Sequence, residues 1–267
     1  MLLESRATRS GDGVNISYSV SGTARAALVF IHGGLADRSF WDGQFSALSD
    51  RFTVIALDLA GHGESGRNRA RWGIPECASD VAAIIGSERL QEVILVGNSL
   101  GGAVAIETAA LAGTRVLGVV GVDTFHDLSR RIEPGWAREQ AEEWRRDFDG
   151  TLDRTLRALF HSDVAPSLLA DVRRRMARTP AETVWAMFCS LERYDTGVSA
   201  RQLRVPVRCI NGDLFPTNTD SNRKLIADFD AVVLPRTGHF PMLECPEEFN
   251  RRLTDLAAVM TGGSVDV

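Results

Sequence analysis

A serine hydroxyl becomes a useful nucleophile only when a base takes its proton and an acid orients that base. One serine in this 267-residue chain is set in a pattern suited to that chemistry. Ser99 lies in Gly97-Asn98-Ser99-Leu100-Gly101, which matches G-x-S-x-G. The apolar run Val93–Val96 precedes it, and Gly102-Ala103 opens a helix-like pattern after it. A serine on a tight strand-to-helix turn takes strained backbone angles, and side chains at the flanking positions would strike the strand or the helix. Such a turn lifts the hydroxyl above the sheet edge and sets it at a helix N-terminus, where developing negative charge is favoured. Ser99 is therefore the candidate nucleophile, in preference to a purely structural turn.

A nucleophile needs an oxyanion site and a base. In FIHGGLADRSFW a strand pattern ends at His32-Gly33-Gly34, and a helix pattern starts near Ser39. Loops of this kind supply a backbone N–H to an oxyanion hole, so Gly34 and Leu100, the residue after the nucleophile, are the candidate donors. His32 reads as a residue that orders the loop. DLAGHGES reads as a tight turn after a strand, with His62 structural. His239, in PRTGHFPMLECPEEF, follows the last strand pattern and precedes the last helix. That loop can bring an imidazole to Ser99 across the sheet edge, which makes His239 the general base among five histidines. His126 and His161 read as surface or pocket-wall residues.

These residues need a scaffold, and the surrounding pattern supplies one. VNISYSVSG alternates after a Gly-Asp-Gly turn and predicts a hairpin strand. AALVFIHGG, FTVIALDLAGHG, EVILVGNS and VLGVVGVD are nearly continuous apolar runs ending at glycines or polar residues. Strands buried on both faces look like this, and the helical stretches between them predict a parallel α/β sheet with right-handed crossovers. From 124 to 204 the strands stop and Arg/Glu-rich helical segments appear. VPVRCINGD and DAVVLPRTGHF then restore the strand pattern, and CPEEFNRRLTDLAAVM closes as an amphipathic helix with proline and acids at its start. The expected organisation is a core of 1–123 and 205–267 with a helical insert of 124–204. TGGSVDV at the end reads as a loose tail.

Composition narrows the partners. Net charge is −5, which argues against nucleic acid or an anionic membrane as the main partner. The arginines of RRIEPGWAREQAEEWRRDFDG are interleaved with acids and predict a solvated helical face. Four cysteines lie far apart without a CxxC pair, so no metal site is expected, and Cys209 reads as a small core hydrophobe. The N-terminal MLLESRATRSGDG has no long apolar stretch, and no run is long enough to span a bilayer. The expectation is a cytoplasmic protein, monomer or homodimer, acting on a small molecule.

These motifs, in this order, resemble the α/β-hydrolase fold superfamily, of the capped, serine-nucleophile esterase type, over nearly the whole chain. The resemblance implies an eight-stranded, mostly parallel sheet flanked by helices, a helical cap after the sixth strand, and no cofactor. It also raises a problem with the acid. The family's usual acid lies three residues after the glycine ending the seventh strand. Here that glycine is Gly212 and the residue three on is Phe215. A second family location, used by pancreatic-type lipases, is the end of the sixth strand. That position is Asp123, so Asp123 is favoured, with Asp213 as runner-up and Asp127 weaker. An aspartate there could also simply cap the next segment.

The implied reaction is hydrolysis of small carboxylic esters through an acyl-enzyme. A serine in the elbow speaks against haloalkane dehalogenase and epoxide hydrolase chemistry. Asn98 keeps open a resemblance to carbon–carbon bond hydrolases of meta-cleavage products, although their Ser-Gly-Pro-Gly-Ala oxyanion stretch is replaced by Gly33-Gly34-Leu35-Ala36-Asp37. Thioesterase, lactonase, perhydrolase and non-catalytic receptor readings remain as alternatives. Leu35, Trp136, Trp144, Trp185, Met187, Phe188 and Phe240 are the candidate pocket residues, each with core packing as its plainer reading.

Overall fold

Eight strands share one sheet in the computed structural model, which describes residues 3–262. They are β1 (Glu4–Arg9), β2 (Asn15–Ser21), β3 (Ala26–Ile31), β4 (Thr53–Leu57), β5 (Glu92–Asn98), β6 (Val116–Val122), β7 (Val207–Gly212) and β8 (Phe229–Leu234). Their spatial order is β1-β2-β4-β3-β5-β6-β7-β8. β2 runs antiparallel to β1 and β4, and all other pairs are parallel. The helices outside the 124–204 stretch are α1 (Asp42–Leu48), α2 (Ile74–Ser87), α3 (Leu100–Ala112), α9 (Thr219–Arg223), α10 (Pro241–Glu244) and α11 (Pro246–Met260). Between β6 and β7 lie α4 (Trp136–Arg146), α5 (Phe148–Leu159), α6 (Pro166–Met176), α7 (Ala181–Leu191) and α8 (Thr196–Ala200).

The apolar runs become central strands because both of their faces are covered. Alternate residues of β3 enter opposite cores: Val29 and Ile31 join one with Val81 and Ile85 of α2, while Leu28 and Phe30 join the other with Phe45 of α1 and Leu253 of α11. This is the two-residue period of a strand buried twice. Cys209 is fully buried in β7, and burial pushes its thiol up, so it packs as an inert hydrophobe. α11 starts at Pro246 with Glu247 and Glu248 in its first turn, and buries Phe249, Leu253 and Ala257 at four-residue spacing. Of the tail 261–267, residues 263–267 lie outside the described residues.

Strand register sets up the site. Ile31 pairs with Gly97, Asn98 with Val122, and Val122 with Ile210. The C-terminal ends of β3, β5, β6 and β7 therefore align. The loops that follow, carrying His32–Leu35, Ser99, Asp123 and Asp213, emerge along one edge. The strand order also reverses here: β4 lies on one side of β3 and β5 on the other, which is where open α/β sheets form their clefts.

Candidate active site

Ser99 sits at the joint of β5 and α3 with φ 52° and ψ −117°. A non-glycine residue with positive φ costs on the order of 1–3 kcal/mol and persists only where its surroundings hold it. Here the holding groups are plain. Ser99 N donates to Val122 O at 3.1 Å, and Ser99 O accepts from Gly102 N at 2.9 Å and from Thr124 Oγ1 at 3.1 Å. A Cβ on Gly97 would strike the Gly101 carbonyl, and one on Gly101 would strike the Ile31 carbonyl. The flanking glycines are thus required by close approach of strand and helix. Leu35, Asp123 and Phe125 also have positive φ, so four of the six such non-glycine residues among those described surround this one site.

His239 follows β8, and its Nδ1 lies 2.6 Å from Asp123 Oδ2. Asp123 is buried, and its other oxygen accepts from Gly212 N at 3.0 Å. His126 Nε2 approaches the same Oδ2 at 3.7 Å. Burial alone would raise the Asp123 carboxyl, but the His126 and His239 imidazoles outweigh it and bring it down to about 2. Asp123 is therefore an anion at neutral pH. The Nδ1 contact leaves His239 Nε2 as the nitrogen available for Ser99; the two residues line the same cavity.

Asp213 lies elsewhere in the network. Its oxygens accept from Arg236 N (2.9 Å) and Thr237 N (3.2 Å) and contact His161 Nε2 (2.8 Å). It fixes the turn after β8 and joins it to the segment after α5, and its contacts do not include His239. Asp127 is bound by Ser129, Ser221 and Asn218. Phe215, at the position where an acid was sought, lays its ring 5.7 Å from that of His126.

The candidate oxyanion donors flank the serine. Gly34 and Leu100 line the cavity with Ser99, and Leu100 N opens α3, where no intrahelical acceptor exists. The His32 loop is held from beneath: His32 Nε2 accepts from Leu59 N at 3.0 Å, and Nδ1 lies 2.7 Å from Gly33 O. It is held from above as well, where Thr179 Oγ1, after α6, donates to Leu35 O at 2.9 Å. His62 is buried with its ring 4.9 Å from that of His32. It also forms part of the cavity wall, which the sequence did not suggest.

The cavity measures about 920 Å³. It runs from Ser99 and His239 up between the sheet edge and the helices of 124–204. Leu35, Trp136, Trp144, Met187, Phe188 and Phe240 lie in its wall. Trp185 does not, and its assignment is corrected. On α7 the positions facing the cavity are Val184, Met187, Phe188 and Leu191, one helical stripe. Trp185 sits one residue off that stripe, with Nε1 bonded to Glu142 at 3.1 Å and the Arg145 guanidinium over its ring.

Three polar side chains brace the site; of these the sequence marked only Asn98, and for a different role. Asn98 is buried, and its Nδ2 donates to Val122 O (2.9 Å) and His239 O (3.1 Å), tying the elbow to the histidine loop. Asn211, a buried amide in β7, brackets Thr124 through the Thr124 backbone N and O (3.2 and 3.0 Å). Glu244 grips the histidine loop itself. Among the described residues, no three or more His, Cys, Asp or Glu side chains gather as a metal ion would need, and no helix is long and apolar enough to cross a membrane.

A sheet of this order with a strained serine elbow and a histidine after the last strand defines an α/β hydrolase. The chain belongs to the alpha/beta hydrolase family, which it matches over residues 28–252. It is 31% identical over 242 residues to the pimeloyl-[acyl-carrier protein] methyl ester esterase of Nitrosomonas europaea, covering 83% of this chain and 92% of that protein. Among solved structures it is similar to a putative aryl esterase from Burkholderia cenocepacia, with a TM-score of 0.81, 25% identity, and 97% and 100% of the two chains covered. A thermophilic esterase from Thermogutta terrifontis shares the fold with a TM-score of 0.84 at 24% identity, covering 97% and 99%.

Proposed function

We propose that the protein hydrolyses small carboxylic esters with Ser99 as nucleophile, His239 as general base and Asp123 as orienting acid. The observation that carries this reading is the 2.6 Å contact of His239 Nδ1 with a buried, ionised Asp123, on the sheet edge that also presents Ser99. His239 Nε2 takes the Ser99 proton as Oγ attacks the ester carbonyl. Asp123 stabilises the imidazolium that forms. The Gly34 and Leu100 amides receive the oxyanion. The tetrahedral intermediate collapses, and the alkoxide leaves with the proton from His239. Water, deprotonated by the same imidazole, then cleaves the acyl-enzyme and frees Ser99.

The helices of 124–204 act in this reading as a cap over a pocket for the substrate's apolar group. A cavity of about 920 Å³ walled by Leu35, Met187, Phe188 and Phe240 suits a small-molecule ester. The ester activities named for the Nitrosomonas and Burkholderia relatives support the reaction class and suggest methyl and aryl esters as first substrates.

The test is turnover of p-nitrophenyl acetate and butyrate by the wild type and Ser99→Ala. The wild type should turn over, and the variant should lose about 10⁴-fold or more in kcat. Equal rates in the two proteins, or no wild-type turnover across acyl lengths, would contradict the proposal; the second result would favour a ligand-binding receptor.

A further inference from the structure

A general base must be held to a fraction of an ångström, because a misplacement of about 1 Å can cost roughly 100-fold in rate. His239 sits on a loop, between β8 and α10. Loops are ordinarily the mobile part of a fold. In this one, four backbone groups at and beside His239 are engaged. His239 N donates to Leu159 O, at the end of α5, at 2.8 Å. His239 O accepts from Asn98 Nδ2 at 3.1 Å. The two flanking amides go to a single side chain: Glu244 Oε2 accepts from Gly238 N at 2.9 Å, and Oε1 accepts from Phe240 N at 2.8 Å.

The local sequence explains how one carboxylate reaches both. Pro241 starts α10, and Glu244 ends that single turn, so the side chain folds back over the residues just before the helix. Gly238 lets the loop lie flat, since a Cβ there would meet Leu159 O at 2.5 Å and Glu244 Oε2 at 3.1 Å. A carboxyl group with two separate oxygens suits two parallel N–H donors; burial raises the Glu244 carboxyl, and the Gly238 and Phe240 amides oppose that rise. No neutral isostere has this property. A glutamine offers one acceptor oxygen and one NH₂ group with two donors, and that NH₂ would face an amide N–H.

We propose that Glu244 is a positioning residue for the reaction: its carboxylate clamps the amides on both sides of His239 and so holds the imidazole between Asp123 and Ser99. The clamp rests on the reading of His239 as the general base. Glu244 does not line the cavity. Its whole effect on turnover passes through the placement of His239, and this separates it from a residue that merely stabilises the fold.

The experiment is a double-mutant cycle on p-nitrophenyl butyrate hydrolysis with wild type, Glu244→Gln, His239→Ala and the double variant. Glu244→Gln should lower kcat by about 10- to 100-fold with KM held within about 2-fold. In the His239→Ala background the same change should alter the residual rate by less than about 2-fold, because no imidazole remains to be misplaced. Glu244→Asp, which keeps the charge on a shorter stem, should recover part of kcat only when His239 is present. It also carries the cycle if the glutamine variant fails to fold. An unchanged kcat in Glu244→Gln, or the same loss in both backgrounds, overturns the clamp. Full activity in His239→Ala alone would instead overturn the assignment of the base.

Discussion

Asp123 is a buried anion with two imidazoles against it, and its carboxyl is brought down to about 2. It therefore keeps its charge through the whole range in which an imidazole works as a base. The histidines beneath the oxyanion loop behave in the opposite way. Burial pushes His32 down to about 4 and His62 to about 3, against about 6.5 in an unfolded chain. Above about pH 6.5 both states are neutral, and the pair has no effect on stability. As pH falls below that, the unfolded chain takes up protons that the folded one refuses, so stability is lost down to the folded values. Buried Asp58 and Asp80 have raised values and act in the other direction, gaining protons in the fold. The comparison must therefore be made with a variant. Between about pH 7.5 and 5, the fall in urea midpoint should be shallower in His62→Gln than in the wild type. Identical slopes would contradict this. The candidate nucleophile and base were legible in the sequence because glycines and flanking strand patterns mark them. Glu244 was not, because its partners are backbone amides, which leave no trace in residue type.

Helix faces decide which residues of the helices between β6 and β7 line the cavity. The stripe Val184, Met187, Phe188 and Leu191 of α7 faces the cavity, and Trp185 packs outward onto α4. The sequence offered both aromatics as pocket residues, because an aromatic-rich helical segment has no visible orientation until its neighbours are placed. Phe188→Ala should change the butyrate-to-acetate ratio of kcat/KM by about 5-fold or more, in the range one or two methylenes contribute in a pocket. Trp185→Ala should leave that ratio within about 2-fold. Equal effects in steady-state assays of the two variants would contradict the assignment. The central strands were legible for a simpler reason. Val, Ile and Leu in unbroken runs have few places to go except a sheet covered on both faces. The short helices α9 and α10 were not anticipated, since one turn of helix leaves no periodic pattern to read.

At the scale of the whole molecule, strand order does the positioning. Four strand ends align on one edge, and the insert between β6 and β7 ties itself back to that edge at several points. Thr179 holds Leu35 O, Leu159 O holds His239 N, and Tyr194 and Ser199 bond Glu107 of α3 at 3.0 and 2.8 Å. The overall α/β architecture followed from alternating strand and helix patterns, and the run of helices between β6 and β7 lies where the strand pattern stops. The contacts across the insert did not follow, because they join residues far apart in the chain. The same long-range placement distinguishes the two aspartates: Asp123 at the end of β6 meets His239, and Asp213 after β7 meets His161 and the β8 turn. The most direct measurement is kcat for p-nitrophenyl butyrate in Asp123→Asn and Asp213→Asn. The account predicts a loss of about 10⁴-fold in Asp123→Asn, and activity within about 10-fold of wild type in Asp213→Asn. A fully active Asp123→Asn beside an inactive Asp213→Asn would contradict it.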